Sequence, residues 1–463
     1  MIFSSLFFIF IFLPVSLAAY YLLPRKWRNL CLFVFSLAFY AWGEPVYVFL
    51  MLFTTVFDYA AGALLERFRA RPGARRAVLA ASVCVNLGLL GWFKYAALFV
   101  STLDALLPVG LPVPQTALPV GISFYTFESI SYTVDIYRGA APAQKNPVDF
   151  GTYLSFFPHL VSGPIIQYRA MRAQLRGRTE SWEKFTAGSL RFLQGLFKKV
   201  LLANALAQIA DKTRYFGNPA ALTAWLGALA FTFQIYFDFS GYTDMAVGLG
   251  KMFGFELPEN FNRPYSARSA SDFWRRWHIT LGGWFRDYLY IPLGGNRCSR
   301  LRLVRNLAVV WVLTGFWHGA SWNFAVWGAY WGLLIICEKL FLQRWLDRIL
   351  AFFQWLYAFL AAVVGWVFFS NMDLGRACGV VKAMFGFSGG ADSLGLYTLL
   401  TGAPVLLLAA LFCTPWPGRF WGWLKRKGRA GIAAQSAVLA ALFALSLASL
   451  VNNSYNPFLY FRF

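Results

Sequence analysis

The chain has 463 residues, of which 59% are hydrophobic and only 13% are charged, and its formal net charge is +22. Apolar runs long enough to span a bilayer recur along its whole length, which excludes a single soluble domain. The excess Lys and Arg residues lie in short loops between these runs, as membrane orientation requires, so the positive charge does not indicate nucleic-acid binding. We predict an all-α, polytopic membrane protein with about 12 transmembrane helices, and re-entrant helices around a central chamber.

The six cysteines are scattered along the sequence without CxxC or metal-ligand spacing. Most of them lie in apolar runs, where cysteine packs as a small hydrophobic residue. We therefore expect no disulfide framework, no metal site and no bound cofactor.

The loop charges predict the orientation of the chain in its membrane. The first apolar run, residues 2–23, lacks a basic start and a cleavage site, so it is interpreted as a retained transmembrane helix. Basic residues follow the first span (25–28) and the third (67–76), whereas the turn at 43–45 and the Pro-rich stretch 107–119 carry none. Basic residues 425–429 also precede the last span, 432–451. The positive-inside rule then places both termini outside the cytoplasm, which demands an even number of crossings.

Three segments are too irregular for simple spans. Residues 118–137 hold Glu128 and Asp135 in an apolar stretch, residues 153–168 are broken by Pro and Gly, and residues 273–293 are rich in Trp, Arg and Gly. Irregular backbone at membrane depth is tolerated where it is buried in protein or lines a wet cavity. We predict a chamber floored by re-entrant segments on the cytoplasmic side, within one integral-membrane domain, 1–463. Residues 371–400 should form a partly ordered extracytoplasmic loop, and residues 452–463 an extracytoplasmic tail.

Two of the three histidines lie in tryptophan-rich clusters, in Trp274-Arg275-Arg276-Trp277-His278 and in Phe316-Trp317-His318-Gly319. An imidazole at membrane depth is costly and is usually retained for chemistry, a proton path or a ligand. We predict that His278 and His318 belong to an active site. The third, His159, follows a proline in a broken segment, and we interpret it as a polar cavity or turn residue outside the catalytic set.

Several motifs in order along nearly the whole chain resemble the membrane-bound O-acyltransferase family. They are Gln-Ile-Tyr-Phe-Asp-Phe-Ser-Gly-Tyr-Thr-Asp at 234–244, Glu-Asn-Phe-Asn-Arg-Pro-Tyr at 259–265, the two histidine clusters at 273–281 and 316–322, and the segments 158–165 and 195–200. Within the family the chain is most similar to the bacterial alginate O-acetyltransferase branch. Peptidoglycan O-acetyltransferases and the teichoic-acid D-alanyl-transfer branch are close relatives.

The resemblance implies a multi-pass O-acyltransferase of the bacterial cytoplasmic (inner) membrane. It would move an acyl group, expected to be acetyl, from a cytoplasmic thioester towards an extracytoplasmic polysaccharide such as alginate. His318 matches the family's Trp-His-Gly histidine, the expected catalytic base, and His278 matches the second motif position. A nearby neutral imidazole can take the proton of an attacking hydroxyl as acyl transfer begins. Burial among Trp274, Trp277, Trp317 and Trp322 should lower the imidazole pKa and keep the base neutral. The implied donor is acetyl-CoA, or an acyl carrier protein.

Further candidates surround the two histidines. Tyr242 and Asn260 could donate hydrogen bonds to the acyl carbonyl. Asp238 and Asp244 are six residues apart and therefore face apart on a helix. Either could orient a histidine or pair with an arginine, and a purely structural ion pair explains them equally well. The predicted substrate-binding residues are Asp238, Tyr242, Asn260, Arg275, Arg276, Trp277, Trp317, Lys198 and Lys199. The four basic ones would bind the phosphates of coenzyme A or an acidic carrier protein, although membrane anchoring explains them as well.

The C-terminal residues 456–463 are too aromatic for a solvated end. We expect them to fold back onto the protein or a partner, or to act as an interfacial aromatic anchor. A sharper hypothesis gives Tyr460 a catalytic role, in which its phenol receives the acyl group and passes it to an extracytoplasmic acyltransferase partner. The alternatives are D-alanyl or peptidoglycan acyl transfer, and a transporter for a polymer or lipid-linked sugar. The absence of an internal repeat weakens the transporter alternative.

Overall fold

The computed structural model describes residues 1–107, 110–214, 217, 219–371, 373–452 and 458–459. Throughout these ranges the secondary structure is helical and contains no strand. The prediction of an all-α protein is confirmed.

The chain forms two compact units. The first contains Met1–Phe192, Met245–Pro258 and Gly283–Leu289, and the second contains Leu193–Asp244, Glu259–Gly282 and Tyr290–Phe463. The prediction of one functional domain concerns the whole chain and stays a prediction.

The first unit contains α1 (Leu13–Leu22), α2 (Arg28–Gly43), α3 (Tyr47–Arg67), α4 (Pro72–Leu90), α5 (Ala96–Leu106), α6 (Ile122–Arg138), α7 (Pro147–Ser155), α8 (Phe157–Leu160) and α9 (Tyr168–Gly177). Three helices contribute residues to both units: α10 (Trp182–Phe197), α12 (Ala221–Met252) and α14 (Ile279–Phe285). The second unit also contains α11 (Asn204–Arg214), α13 (Ala270–Arg276), α15 (Arg300–His318), α16 (Trp322–Cys337), α17 (Gln343–Leu346), α18 (Ala351–Ser370), α19 (Leu374–Met384), α20 (Ser393–Phe412), α21 (Trp416–Lys425) and α22 (Gly428–Asn452). Short π-helical stretches occupy Phe8–Phe12, Gly91–Tyr95, Lys198–Ala203, Arg286–Tyr290 and Glu338–Leu342, and 3₁₀ turns occupy Arg25–Trp27 and Pro264–Ser266.

Six helices are long and apolar enough to cross a bilayer: Tyr47–Arg67, Pro72–Leu106, Trp322–Leu346, Ala351–Ser370, Ser393–Phe412 and Gly428–Asn452. The last of these contains the predicted final span, and the shorter apolar helix Phe8–Leu22 lies within the predicted first one. A polytopic helical membrane protein is therefore confirmed. The count of about 12 crossings and the sidedness of the termini stay predictions.

The predicted break within residues 153–168 is present. Helix α7 ends at Ser155, the single turn of α8 follows, and the chain then runs without regular structure to α9 at Tyr168. His159 fixes this segment to α6, because its Nδ1 lies 3.1 Å from Oε1 of Glu128 and its Nε2 lies 3.1 Å from the Tyr153 carbonyl oxygen. His159 is thus a buried partner of an acid, where we expected a cavity or turn residue.

The segment predicted as a partly ordered extracytoplasmic loop, residues 371–400, contains helices, and its extracytoplasmic placement stays a prediction. Helix α19 and the start of α20 occupy most of this segment. Each begins at an aspartate that accepts a backbone N–H of the first turn: Asp373 from Arg376 at 2.6 Å and Asp392 from Gly395 at 2.7 Å. Such caps satisfy amides that would otherwise lack an acceptor, which explains why a Gly- and Ser-bearing sequence is helical here.

Candidate active site

A short excursion of the chain, residues 259–279, places His278 against Asn260. Two backbone hydrogen bonds close its base: Ile279 donates to the Asn260 carbonyl at 3.0 Å, and Asn262 donates to the Arg276 carbonyl at 2.9 Å. His278 has φ of +46°, in the left-handed region that few non-glycine residues adopt. Because the two ends of the excursion are bonded together, the surrounding structure holds this conformation.

Helix α13 lies within the excursion and is anchored at its N-terminus. Ser269 accepts the backbone N–H of Asp272 at 3.0 Å as a conventional N-cap. The buried Glu338 accepts two more first-turn amides, from Ala270 and from Ser271 at 2.8 Å. A carboxylate at a helix N-terminus is favoured by the helix dipole and by the unpaired amides there, so Glu338 fixes the N-terminal end of α13, the helix that precedes His278.

Asn260 determines which nitrogen of His278 carries the proton. Its Oδ1 accepts from the Thr280 backbone N–H at 3.1 Å and from the Thr280 hydroxyl at 2.9 Å, so this atom is the amide oxygen. His278 Nδ1 lies 3.2 Å from the same oxygen and must therefore donate, which leaves the lone pair on Nε2. His278 lies outside the six apolar spans, and burial lowers the pKa of its imidazole. The structure thus presents a neutral imidazole with a defined basic nitrogen.

The second imidazole, His318, is the last residue of α15. Helices α15 and α16 pack closely because glycines face the partner backbone: a Cβ on Gly315 would collide with the Phe324 carbonyl, and one on Gly328 would collide with that of Trp311. This packing places the C-terminal end of α15 beside His278, and the two imidazole centroids are 6.4 Å apart. The prediction that both histidines share one site agrees with this geometry.

Aromatic rings enclose the imidazole pair, although not all the predicted ones. The Trp317 ring centroid lies 5.8 Å from that of His278 and 5.0 Å from that of His318. Trp327 and Phe369 pack against His318 at 4.9 and 5.5 Å, and Phe239 meets His278 edge-on at 4.8 Å. These rings come from α12, α15, α16 and α18, and they leave His278 and His318 only 1% and 4% exposed.

Three of the predicted tryptophans lie elsewhere. Trp322 is 56% exposed at the start of α16, which corrects the expectation that it buries the imidazoles. Trp274 packs against Trp311, Trp327 and Trp331. Trp277 is buried but stacks on other aromatic residues, with its ring centroid 4.7 Å from that of Trp366.

Sequence comparison identifies the family. A sequence model described as MBOAT, membrane-bound O-acyltransferase family, matches residues 119–372, more than half of the chain and the part that carries both histidines. The chain belongs to the membrane-bound O-acyltransferase family. This membership confirms the predicted enzyme class, an acyltransferase that acts on hydroxyl groups.

Three curated relatives illustrate the similarity of this O-acyltransferase to other members. The probable alginate O-acetylase AlgI of Azotobacter vinelandii is 41% identical over 100% of both chains. The probable alginate O-acetylase AlgI of Pseudomonas aeruginosa is 45% identical over 84% of this chain and 75% of its own. The peptidoglycan O-acetyltransferase of Helicobacter pylori is 36% identical over 84% of this chain and 80% of its own.

The two acids on α12 of the O-acyltransferase pair with the two adjacent lysines. Lys199 Nζ lies 2.6 Å from Asp238 Oδ1, with both side chains 3% exposed, and Lys198 Nζ lies 2.6 Å from Asp244 Oδ2. The structure therefore favours the ion-pair interpretation of these acids over pairing with Arg275 or Arg276. Both arginines instead approach Asp272, at 3.7 and 3.1 Å.

Tyr242 is buried on α12, where its ring meets Phe458 at a centroid distance of 4.6 Å. Phe458 and Leu459 are themselves buried, so at least this part of the tail folds back onto the protein, as expected. Tyr460 lies outside the described residues, and its proposed role stays a prediction.

Sequence reasoning missed several residues of this site. Thr280 shares the oxygen of Asn260, Glu338 anchors α13, and Phe239, Trp327 and Phe369 enclose the imidazoles. Glu338 carried the one usable signal, since it is a carboxylate within the apolar stretch Trp322–Leu346, where an ionisable residue suggests function. The aromatic residues could not be distinguished from ordinary core residues.

Proposed function

We propose that this O-acyltransferase takes an acetyl group from a cytoplasmic thioester, acetyl-CoA, and supplies it for O-acetylation of alginate outside the cytoplasmic membrane. The relatives named as probable alginate O-acetylases, at 41% and 45% identity, support the acetyl group and the polymer. The observation that carries the chemistry is the pair of buried imidazoles 6.4 Å apart inside the family match.

In the proposed mechanism, His318 is the general base. It takes the proton of an attacking hydroxyl as the oxygen attacks the thioester carbonyl carbon. The new C–O bond forms, the C–S bond breaks, and the proton passes to the departing sulfur, which leaves as a free thiol. His278 accepts a hydrogen bond through its basic Nε2 and so orients the hydroxyl between the two rings.

Asn260 is proposed to bind the acyl oxygen. Its Oδ1 is committed to His278 and Thr280, whereas its buried Nδ2 has no hydrogen-bond partner among the described residues. A preorganised N–H donor of this kind stabilises the charge that develops on a carbonyl oxygen during acyl transfer. Tyr242 remains a second candidate donor.

The basic residues are proposed to bind the donor's phosphates unequally. Arg275 has a side chain that is 73% exposed, and Lys198 is 28% exposed beside Asp244, so both can reach a ligand. Arg276 is held by Asp272, and Lys199 is buried against Asp238. We therefore assign phosphate binding first to Arg275 and Lys198. An acyl carrier protein would use the same charges.

The tail is proposed to carry the acyl group onward. The phenol of Tyr460 would act as the attacking hydroxyl, and an extracytoplasmic acyltransferase partner would move the acetyl group from that ester to the polysaccharide. This route requires both termini to be extracytoplasmic in the inner membrane, as the loop charges predict.

The test uses purified protein in detergent with labelled acetyl-CoA. We expect thiol release and label retained on the wild-type protein, a loss of both of at least about a hundredfold in His318→Ala, and loss of the label in Tyr460→Phe. Tyr397→Phe, which alters an exposed tyrosine on α20, is the matched control and should behave as wild type. Thiol release that persists in His318→Ala would refute the assigned base.

The acceptor is tested in an alginate-producing host that lacks its own acetylation. Expression of the wild-type chain, but not of His318→Ala, should restore O-acetyl groups on secreted alginate if the host supplies the extracytoplasmic partner. If peptidoglycan is acetylated and alginate is not, the acceptor is peptidoglycan, the polymer named for the 36% identical relative, and the alginate proposal is refuted.

A further inference from the structure

The last described residues of the chain are held by a side chain far away in the sequence. The backbone N–H of Leu459 donates to Oδ2 of Asp238 at 2.7 Å, across 221 positions. Leu459 and Phe458 are 4% and 1% exposed. A buried amide needs an acceptor, and here a carboxylate on α12 supplies it.

The other oxygen of the same carboxylate is fixed by Lys199. The Lys199 Nζ to Asp238 Oδ1 distance is 2.6 Å. Lys199 lies in the π-helical stretch Lys198–Ala203, which packs close to α12: a Cβ on Gly241 would lie 2.8 Å from the Gly195 carbonyl oxygen and 3.1 Å from the Lys199 amide. The ammonium group orients the Asp238 carboxylate, and a hydrogen bond from the Leu459 amide to a carboxylate is charge-assisted and stronger than one to a neutral acceptor.

Burial makes this arrangement a poor source of stability by itself. Removing two charges from water costs about as much as their attraction returns, and a well-packed apolar pair often serves stability as well or better. A buried pair whose second carboxylate oxygen binds the backbone of Leu459 has a specific use, which is to fix the position of Phe458 and Leu459.

Phe458, which is held in this way, lies close to the candidate active site. The Phe458 ring centroid is 4.6 Å from that of Tyr242 and 6.4 Å from that of Phe239. The ring of Phe239 in turn meets His278 edge-on at 4.8 Å. Asp238 and Tyr242 are four residues apart and so share one face of α12. The face of α12 that carries Asp238 and Tyr242 therefore contacts Phe458 and Leu459, and the neighbouring Phe239 contacts the imidazole of His278.

We propose that Asp238, oriented by Lys199, is a positioning residue that seats the C-terminal segment of the chain beside His278. The C-terminal seat consists of Lys199, Asp238, Phe239 and Tyr242. Its importance for catalysis rests on the proposed function, in which the tail takes part in acyl transfer, whereas its binding of Phe458 and Leu459 does not.

Digestion of the full-length protein by carboxypeptidase measures the seat without reference to activity. The enzyme must reach Leu459 and Phe458, and mass spectrometry reports their release. We expect Asp238→Ala to release them at least about tenfold faster than wild type, because a charge-assisted hydrogen bond to a buried amide is lost. Asp238→Asn retains an oxygen acceptor and should give an intermediate rate. Asp244→Asn is the matched control, since it breaks the other lysine pair on α12, and should leave the release rate as in wild type.

Phe458→Ala provides a second variant that leaves the helix and both ion pairs untouched, in case Asp238→Ala does not fold. It should also accelerate release. Equal release rates in wild type, Asp238→Ala and Phe458→Ala would overturn the seat.

Activity then tests the positioning role. In Asp238→Asn and Phe458→Ala we expect kcat for acyl transfer to fall at least about tenfold, while KM for acetyl-CoA stays within about twofold, because the tail and not the donor is displaced. A released tail with unchanged kcat would overturn positioning. Failure of the wild-type protein to consume acetyl-CoA would overturn the proposed function, and the digestion rates alone would then decide whether the seat exists.

Discussion

The amide of Asn260 offers the sharpest test of the site, because one oxygen atom serves three donors. Asn260→Ala removes the acceptor of His278 Nδ1, the Thr280 amide and the Thr280 hydroxyl. A buried donor left without an acceptor costs about 1–3 kcal/mol. The imidazole of His278 is fully enclosed, whereas Thr280 is only half-buried and can bind water in part. We therefore expect the protein to lose about 2–4 kcal/mol of stability.

The catalytic effect of Asn260→Ala arises because the proton of His278 is no longer fixed on Nδ1. Without the oxygen of Asn260, His278 is free to place its proton on either nitrogen and to rotate, and the orienting hydrogen bond no longer contributes in the transition state. A hydrogen bond worth about 1.4–2.8 kcal/mol corresponds to a ten- to hundredfold loss in kcat. Thiol release from acetyl-CoA gives kcat, and thermal unfolding gives the change in stability.

The control for a generic packing defect is Asn306→Ala. Asn306 is also fully buried, but its amide binds the Gly295 carbonyl at 3.2 Å, away from the imidazoles. It should lower stability without the loss in kcat. Equal kcat in wild type and Asn260→Ala would refute the assigned role of the amide.

Asn260→Asp tests the effect of a negative charge beside His278 while an acceptor oxygen is retained. It keeps an oxygen for His278 and Thr280 but places an anion beside the imidazole, which raises the pKa of His278. Because the neutral imidazole is then reached only at higher pH, the acidic limb of the pH–rate profile should move upwards. A profile that stays at the wild-type position would contradict the direct contact between the two side chains.

Three further perturbations test other parts of the structure. Gly241→Ala inserts a Cβ 2.8 Å from the carbonyl of the neighbouring helix and should lower the unfolding temperature, whereas Gly282→Ala meets nothing within 4 Å and should be neutral or slightly stabilising in the same measurement. His159→Gln removes the imidazole that lies 3.1 Å from Glu128 and should cost about 1–3 kcal/mol of stability with KM for acetyl-CoA unchanged; a large change in KM would place His159 in the donor site. Burial alone would raise the pKa of Glu180, but hydrogen bonds from tyrosine and arginine side chains lower it below the ordinary value. Its contribution to stability is therefore present above the unfolded-state pKa and is lost as the pH falls through the lowered one, so Glu180→Gln should flatten stability against pH on the acidic side.

The local sequence was sufficient to predict the helical class and the breaks in the chain, and it singled out the two imidazoles that the structure brings close together. Each of these follows from a few adjacent residues: apolar runs, Pro and Gly within them, and histidine flanked by tryptophan. The six apolar helices, the interruption after Ser155 and the closeness of His278 to His318 agree with that reasoning. Secondary structure at residues 371–400 was missed because the two capping aspartates were not recognised as helix starts.

The partners of the polar residues could not be predicted in the same way. Asp238 binds Lys199 and the backbone of Leu459, and Asn260 orients His278 as well as presenting an amide. These contacts join residues 18 to 221 positions apart. They depend on which faces of the helices meet, and spacing along one helix carries no information about that.

The left-handed backbone of His278 has a consequence for mutagenesis. Histidine, asparagine and glycine tolerate φ of +46°, whereas an alanine there incurs roughly 1–2 kcal/mol of backbone strain. The usual alanine substitution would therefore remove the imidazole and also loosen the excursion that holds Asn260, and its effect would overstate the chemical contribution of the ring. His278→Asn removes the imidazole and its basic nitrogen without adding this backbone strain. The difference in rate between the alanine and asparagine variants measures the contribution of backbone geometry, and the difference between wild type and the asparagine variant measures the contribution of the imidazole.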